Sequence, residues 1–368
     1  MNPLRRLQRL GQSVWLDDIR RAWLKDGTLA KLIKEDGVAG VTSNPAIFEK
    51  AIAGGREYDE AIRAMAGAGL PAGAIYETLV LEDVRAAADL LRPVYEMTAA
   101  ADGFVSLEVS PHLANDTAAT VQEARRLWRA FDRPNAMIKV PGAAAGLPAI
   151  QALLAEGVNV NVTLLFGLTR YREVVDAFLA GLEKCASAAR PLDRVASVAS
   201  FFVSRIDTLI DGRLDALGTP EARAVRGRAA IAAARLAYVV YREWTASERW
   251  RRLASLGARP QRLLWASTSS KDPAYVDIKY VEPLIGPQTV NTMPRTTLDA
   301  YRDHGDPAVR VEDDLDGSRA VERVLQNIGI DLESVSRELE CDGVQKFIEP
   351  FDKLHEALKR RARELAGG

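Results

Sequence analysis

The 368 residues are 48% hydrophobic and 27% charged, with a formal net charge of −1. That composition is ordinary for a globular protein and leaves room for one large α/β domain or two smaller ones. A chain so near neutrality carries no global field for nucleic acid or a membrane, so any anion site has to be built locally. Cys185 and Cys341 are far apart and show no metal-ligand spacing, which fits a reducing compartment. His112, His304 and His355 are scattered and form no ligand pattern. Met1 to Ser13 is basic without an uninterrupted apolar core, so no secretory signal is expected. No segment reaches the apolar length that crosses a bilayer. These readings predict a soluble, cytoplasmic protein.

Short apolar strand candidates alternate with longer helical patterns along the chain. Val14–Asp17 leads into Asp18, and one of the two aspartates is expected to cap the next helix. Gly40–Asn44 ends before Pro45, and Asn-Pro is a common turn pair. Ala74 to Met97 has a helical pattern in which Pro93 predicts a kink or break. Phe104–Val109 alternates, with Val105, Leu107 and Val109 on one face and Ser106 and Glu108 on the other. Glu108 equally fits a strand-end carboxylate paired with an arginine. Ala136–Val140 is apolar except for Lys139, and Pro141-Gly142 stops it. Asn159–Leu165 alternates again, with Asn159, Asn161 and Thr163 opposite Val160, Val162 and Leu164. Val195–Val203 contains Ser200 and Phe202 and runs into Ser204-Arg205. Arg205 also suits a surface pair with Asp207 or Asp211. Arg262–Ser267 and Thr289–Met293 complete the set of eight.

Eight strands alternating with helices predict an α/β fold, a single (β/α)8 TIM barrel with parallel strands. The Ala- and Arg-rich stretch 207–260 is expected to add two or three helices between strands six and seven. Residues 317–368 are expected to add two more at the C-terminus. No Pro/Gly/Ser-rich linker separates these parts, so 1–368 is read as one domain.

In such a barrel the active site lies at the C-terminal ends of the strands. Polar residues collect there. A lysine inside an apolar strand loses hydration, which disfavours its charged form, and a neutral amine can attack a carbonyl to form a Schiff base. The plainer reading of Lys139 is an edge-strand lysine that blocks aggregation. Each polar residue has such a plainer reading alone. A lysine, two carboxylates and several amides and hydroxyls at one end of one barrel need partners, and a polyhydroxy substrate supplies them. There is no G-x-G-x-x-G after the first strand, no P-loop and no H-E-x-x-H, so nucleotide and zinc chemistry gain no support.

The segments VWLDDI (Val14–Ile19), GVTSNPAIF (Gly40–Phe48), VSLEVSP (Val105–Pro111), IKVPG (Ile138–Gly142), GVNVNVTLLF (Gly157–Phe166), SFFVSRID (Ser200–Asp207) and TVNTMP (Thr289–Pro294) resemble the transaldolase family, enzymes of the pentose phosphate pathway, in its longer bacterial form. They stand in family order from the first strand to the last. The resemblance implies Lys139 as the Schiff-base lysine that attacks the C2 ketone of a ketose phosphate. It implies Asp17 as the acid/base at the C4 hydroxyl, and Glu108 as the acid/base that works through a water held by Thr163. Asn44 and Asn161 would bind the dihydroxyacetone unit, Ser200 and Phe202 would line the pocket, and Arg205 would bind phosphate. The run Ala266 to Lys271 departs from the shorter members, whose second phosphate-binding cation comes sooner after an Ala-Ser pair. Here Lys271 is assigned to the phosphate, with Ser267 sharing the role. The resemblance also implies sugar-phosphate substrates, no cofactor or metal, and a monomer or homodimer. Usual lysine aldolases carry their lysine on strand six, so a strand-four lysine matches the transaldolase arrangement.

The implied reaction moves a dihydroxyacetone unit from sedoheptulose 7-phosphate to glyceraldehyde 3-phosphate. The alternative within the superfamily is a fructose 6-phosphate aldolase that releases free dihydroxyacetone, where tyrosine tends to replace Phe202. A barrel retained only for binding is the reading from another class.

Overall fold

The computed structural model describes residues 2–366. Eight parallel strands close into a barrel in chain order. They are β1 (Gln12–Leu16), β2 (Gly40–Val41), β3 (Phe104–Glu108), β4 (Ala136–Pro141), β5 (Val160–Leu165), β6 (Ser197–Phe202), β7 (Arg262–Ala266) and β8 (Thr289–Met293). β1 pairs with β8 to close the ring. The (β/α)8 barrel read from the sequence is the fold observed. Strands covered on one side by helices and on the other by the barrel interior lose contact with water on both faces, which is why the segments are so apolar.

β2 is shorter than the sequence suggests. Past Val41, Thr42 keeps one backbone bond to Leu16, and the side chains of Thr42, Ser43 and Asn44 each take a partner outside the ladder. Thr42 Oγ1 donates to Asp17 Oδ1 at 2.6 Å and lies 2.7 Å from Thr292 Oγ1. Ser43 Oγ donates to the Ser106 carbonyl at 2.8 Å. Asn44 caps the helix Pro45–Gly54.

Pro93 does not break its helix, which runs unbroken from Ala72 to Met97. Buried residues on both sides of the proline, among them Ala88, Leu91 and Tyr95, hold that face against the core. Tertiary packing thus overrides local propensity. Gly103 then turns the chain into β3 with φ +88°, and a Cβ there would overlap the backbone of Tyr95. Gly103→Ala is therefore expected to lower the unfolding free energy by roughly 1–3 kcal/mol, from left-handed strain plus overpacking. An unchanged midpoint in urea denaturation would contradict that account.

Between β6 and β7 stand four helices rather than the expected two or three, Ser204–Leu217, Pro220–Val225, Ala229–Thr245 and Glu248–Ser255. After β8 come Arg295–His304, Leu315–Asn327 and the long helix Leu332–Ala366. The long helix packs against Pro45–Gly54, Asp59–Gly67 and the end of β5. Gly343 on it sits close to Leu164, which allows the helix to approach the barrel mouth. No helix among the described residues is long and apolar enough to cross a membrane.

Candidate active site

A cavity of about 430 Å³ opens at the C-terminal ends of the strands. Lys139 is 4% exposed there. Strand register explains its surroundings. Glu108 of β3 is the register partner of Lys139 of β4, and Lys139 is the partner of Asn161 of β5. Neighbours in register point to the same side of a sheet, so all three face the barrel interior. Lys139 Nζ lies 3.4 Å from Glu108 Oε2 and donates to the Ser43 carbonyl at 3.2 Å. This is a buried ion pair, and Lys139 is not on an edge strand, because a closed barrel has none.

Burial pushes the Glu108 carboxyl up to about 7, against the pull of Lys139. Both Glu108 carboxylate oxygens are buried and accept no hydrogen bond from the protein, and Thr163 Oγ1 is likewise unpaired. Polar atoms held this way need a partner from solvent or substrate. The carboxyl is thus tuned to exchange a proton near neutral pH.

Asp17 reaches the same cavity from the end of β1. Its carboxyl is also raised, by burial first, and lowered in part by Lys139, the Thr42 hydroxyl, Arg205 and Lys271. Neither Asp17 nor Asp18 caps the following helix, contrary to expectation. That helix begins only at Arg21 and has no side-chain cap. Asp18 instead faces Arg20 at 3.5 Å.

Thr163, Ser200, Phe202 and Asn44 all line the cavity. The Asn44 Oδ1 accepts from the Ile47 backbone at 3.1 Å, so the Asn-Pro pair starts a helix rather than making the expected turn, and Asn44 still lines the cavity. Asn161 lies one layer deeper. It donates to Ser106 Oγ at 3.0 Å and accepts from Ser200 Oγ at 2.7 Å, which fixes the wall that Ser200 presents. Beside Thr163 the chain bulges. Leu164 takes φ +63° and the β5–β6 register shifts between Val162 and Leu165. Such bulges re-aim side chains next to functional sites.

Arg205, Lys271, Ser267 and Ser269 also line the cavity. Arg205 pairs with neither Asp207 nor Asp211, whose oxygens bond to the Ala230 and Gly227 backbone and to Tyr280 and Tyr275. Its guanidinium lies over the Phe202 ring at 5.2 Å, and its Nη1 is buried without a partner. Burial depresses the pKa of this arginine. Lys271 Nζ donates to Ser269 Oγ at 2.6 Å. Although Lys271 is exposed, partial desolvation of its ammonium lowers its pKa, and Arg205 and Lys50 nearby lower it further. Asp342, Asp17 and Glu108 act on Arg205 and Asp17 on Lys271 from a distance, but neither cation is in a salt bridge among the described residues, which leaves both able to meet a dianion.

Residues 14–358 match the family model described as transaldolase/fructose-6-phosphate aldolase. The chain belongs to that family. A protein of Thermobifida fusca called transaldolase is 52% identical over 366 residues, 99% of each chain. One of the same name from Parafrankia sp. is 50% identical over 360 residues, 98% of each. A third, from Thiobacillus denitrificans, is 47% identical over 354 residues, 96% of this chain and 99% of its own. Among the transaldolases, then, this chain has close relatives along its whole length.

The cavity holds residues that sequence reasoning passed over. Thr42 and Thr292 join β2 and β8 to Asp17. Thr42 could have been found from its place at a strand end next to the strand that bears Asp17. Lys50, Lys346 and Phe347 line the mouth. The Phe347 ring lies 5.4 Å from Lys139 Nζ and 5.9 Å from the Arg205 guanidinium. Nothing local in the helix Leu332–Ala366 distinguishes Lys346 and Phe347 from their neighbours.

Proposed function

We propose that the chain is a transaldolase that transfers a dihydroxyacetone unit from sedoheptulose 7-phosphate to glyceraldehyde 3-phosphate. The products are erythrose 4-phosphate and fructose 6-phosphate. The observation that carries this reading is the Lys139–Glu108 pair, buried at the barrel mouth with a 3.4 Å separation. Lys139 attacks the C2 carbonyl. Glu108, held up to about 7, takes and returns the protons that turn the carbinolamine into a Schiff base, through a water held with Thr163. Asp17 accepts the C4 hydroxyl proton as the C3–C4 bond breaks. The electron pair of that bond flows into the Schiff base and leaves an enamine. The aldehyde departs, an acceptor aldehyde enters, and the steps reverse.

Two buried carboxyls with separate surroundings suit separate proton duties. Asn44 and Asn161 hold the three-carbon unit, Asn161 by way of Ser200, which lines the cavity. Arg205, Lys271 and Ser267 take the phosphate. Phe202 supports transfer over hydrolysis, since its ring offers no hydroxyl to activate water at the enamine. In the same reading the enzyme works in the cytoplasm, as a monomer or homodimer, on sugar phosphates. The deciding assay is turnover of fructose 6-phosphate with and without erythrose 4-phosphate. Turnover is expected only with the acceptor. Rapid release of free dihydroxyacetone without it would make the enzyme an aldolase instead.

A further inference from the structure

The helices between β6 and β7 reach the cavity through Arg205, and several of their polar contacts fall on one loop. Residues 267–281 follow β7, contain turns rather than long regular elements, and carry Ser269 and Lys271 into the cavity wall. Its C-terminal part is anchored by buried Tyr280 and Val281 and its start by the Ser204–Ser267 backbone bond, and side-chain ties hold the stretch between. Arg226, which closes the helix Pro220–Val225, provides several. Its Nε and Nη2 donate to the two Asp215 oxygens at 2.8 and 3.1 Å. The same Nη2 donates to Asp272 Oδ2 at 2.9 Å, and Nη1 to the Tyr275 hydroxyl at 2.7 Å. Asp272 directly follows Lys271.

Behind this fork, two buried carboxylates of the helix Ser204–Leu217 hold the loop again. Asp211 accepts from the Tyr275 hydroxyl at 2.7 Å and from the Gly227 backbone at 2.7 Å. Asp207 accepts from the Tyr280 hydroxyl at 2.9 Å and lies 3.3 Å from Lys279 Nζ. Gly227 has φ +70°, and a Cβ there would collide with the Tyr275 hydroxyl and the Lys279 ammonium. The loop therefore packs on a position that has no side chain. The helix that anchors the loop also carries Arg205 in its first turn. One rigid element thus sets the spacing of both cations in the cavity.

We infer that Arg226 is a positioning residue for the phosphate end of the site. It ties the loop after β7 to the helix that bears Arg205. It also engages Asp272 Oδ2, the oxygen left over once Oδ1 accepts from the Ala274 backbone, and so keeps it from Lys271 and from competing with the substrate. The inference rests on the assignment of Lys271 to the phosphate.

The test uses the full chain with Arg226→Met and Arg226→Lys. In Arg226→Met the KM for fructose 6-phosphate should rise roughly tenfold with kcat little changed, as expected when a charge-assisted contact loses its alignment. Borohydride trapping of unphosphorylated dihydroxyacetone at Lys139 should keep its wild-type rate. Amide exchange in 268–281 should speed up, and Arg226→Lys should fall between the two. An unchanged KM, an unchanged loop exchange, or a parallel loss of dihydroxyacetone trapping would overturn the inference. Lys271→Ala separates it from the reading beneath. If loop exchange rises in Arg226→Met while Lys271→Ala leaves the KM unaltered, Lys271 does not bind phosphate. Arg226 then has no part in phosphate binding, although it still anchors the loop.

Discussion

Lys139→Met is expected to lose turnover by roughly 10⁴-fold or more, the scale on which removal of a covalent nucleophile acts. The barrel should survive the change. Methionine fills similar space, and the surroundings include the Phe347 ring. The difficulty is Glu108, which loses its one salt-bridge partner among the described residues and keeps only the more distant attraction of Arg205. An unpaired buried charge typically costs about 3–5 kcal/mol. Glu108 avoids that by taking a proton, because burial already holds it up to about 7 and the attraction of Lys139 would be gone. Its folded-state pKa then lies further above the unfolded value. Stability of the variant is complete in acid and falls as pH rises through that folded pKa. Circular dichroism and thermal melts at pH 6 and pH 8 check this directly. A variant unfolded at both pH values would make Lys139 a structural lysine, and an active one would remove it from the mechanism.

Glu108→Gln should reduce turnover by roughly 10²- to 10⁴-fold, the range for a positioned acid or base. The amide fills the same space and keeps a polar group beside Lys139, but it cannot exchange a proton. The wild-type pH–rate profile should contain a limb near pH 7, where Glu108 titrates, and the variant should lack it. The stability effect has its own sign. Glu108 is raised from the ordinary carboxylate range, so the folded state binds a proton that the unfolded chain releases. Wild type should therefore lose stability relative to Glu108→Gln as pH rises from that range through about 7. Asp17 is raised in the same sense and adds a slope of the same direction in both proteins. A limb near pH 7 that persists in Glu108→Gln would assign the titration to another group.

The strands were readable because a buried parallel strand needs apolar residues on both faces, and few other patterns produce short runs like Ala136–Val140. The inward faces of β3 and β5 were readable because polar residues alternate there, and the register confirms that Glu108, Lys139 and Asn161 share one side. Local chemistry misled where tertiary contacts outweighed it. Pro93 is carried through its helix by buried neighbours, and the side chains of Thr42 to Asn44 take partners outside the β2 ladder. Asp17 turned inward to Thr42 rather than capping a helix. Phe347 and Arg226 were not readable at all. Each acts across a long stretch of sequence, Phe347 over Lys139 and Arg226 on Asp272, and only the path of whole helices brings them there.

The central claim is that Lys139 forms a covalent bond to the substrate ketone. Borohydride reduction of the wild-type enzyme with fructose 6-phosphate, followed by peptide mass analysis, tests it most directly. The account predicts a sugar-derived adduct on the peptide that carries Lys139, and none when Lys139→Met is treated alike. No adduct, or one on Lys271 or Lys50 instead, would contradict it.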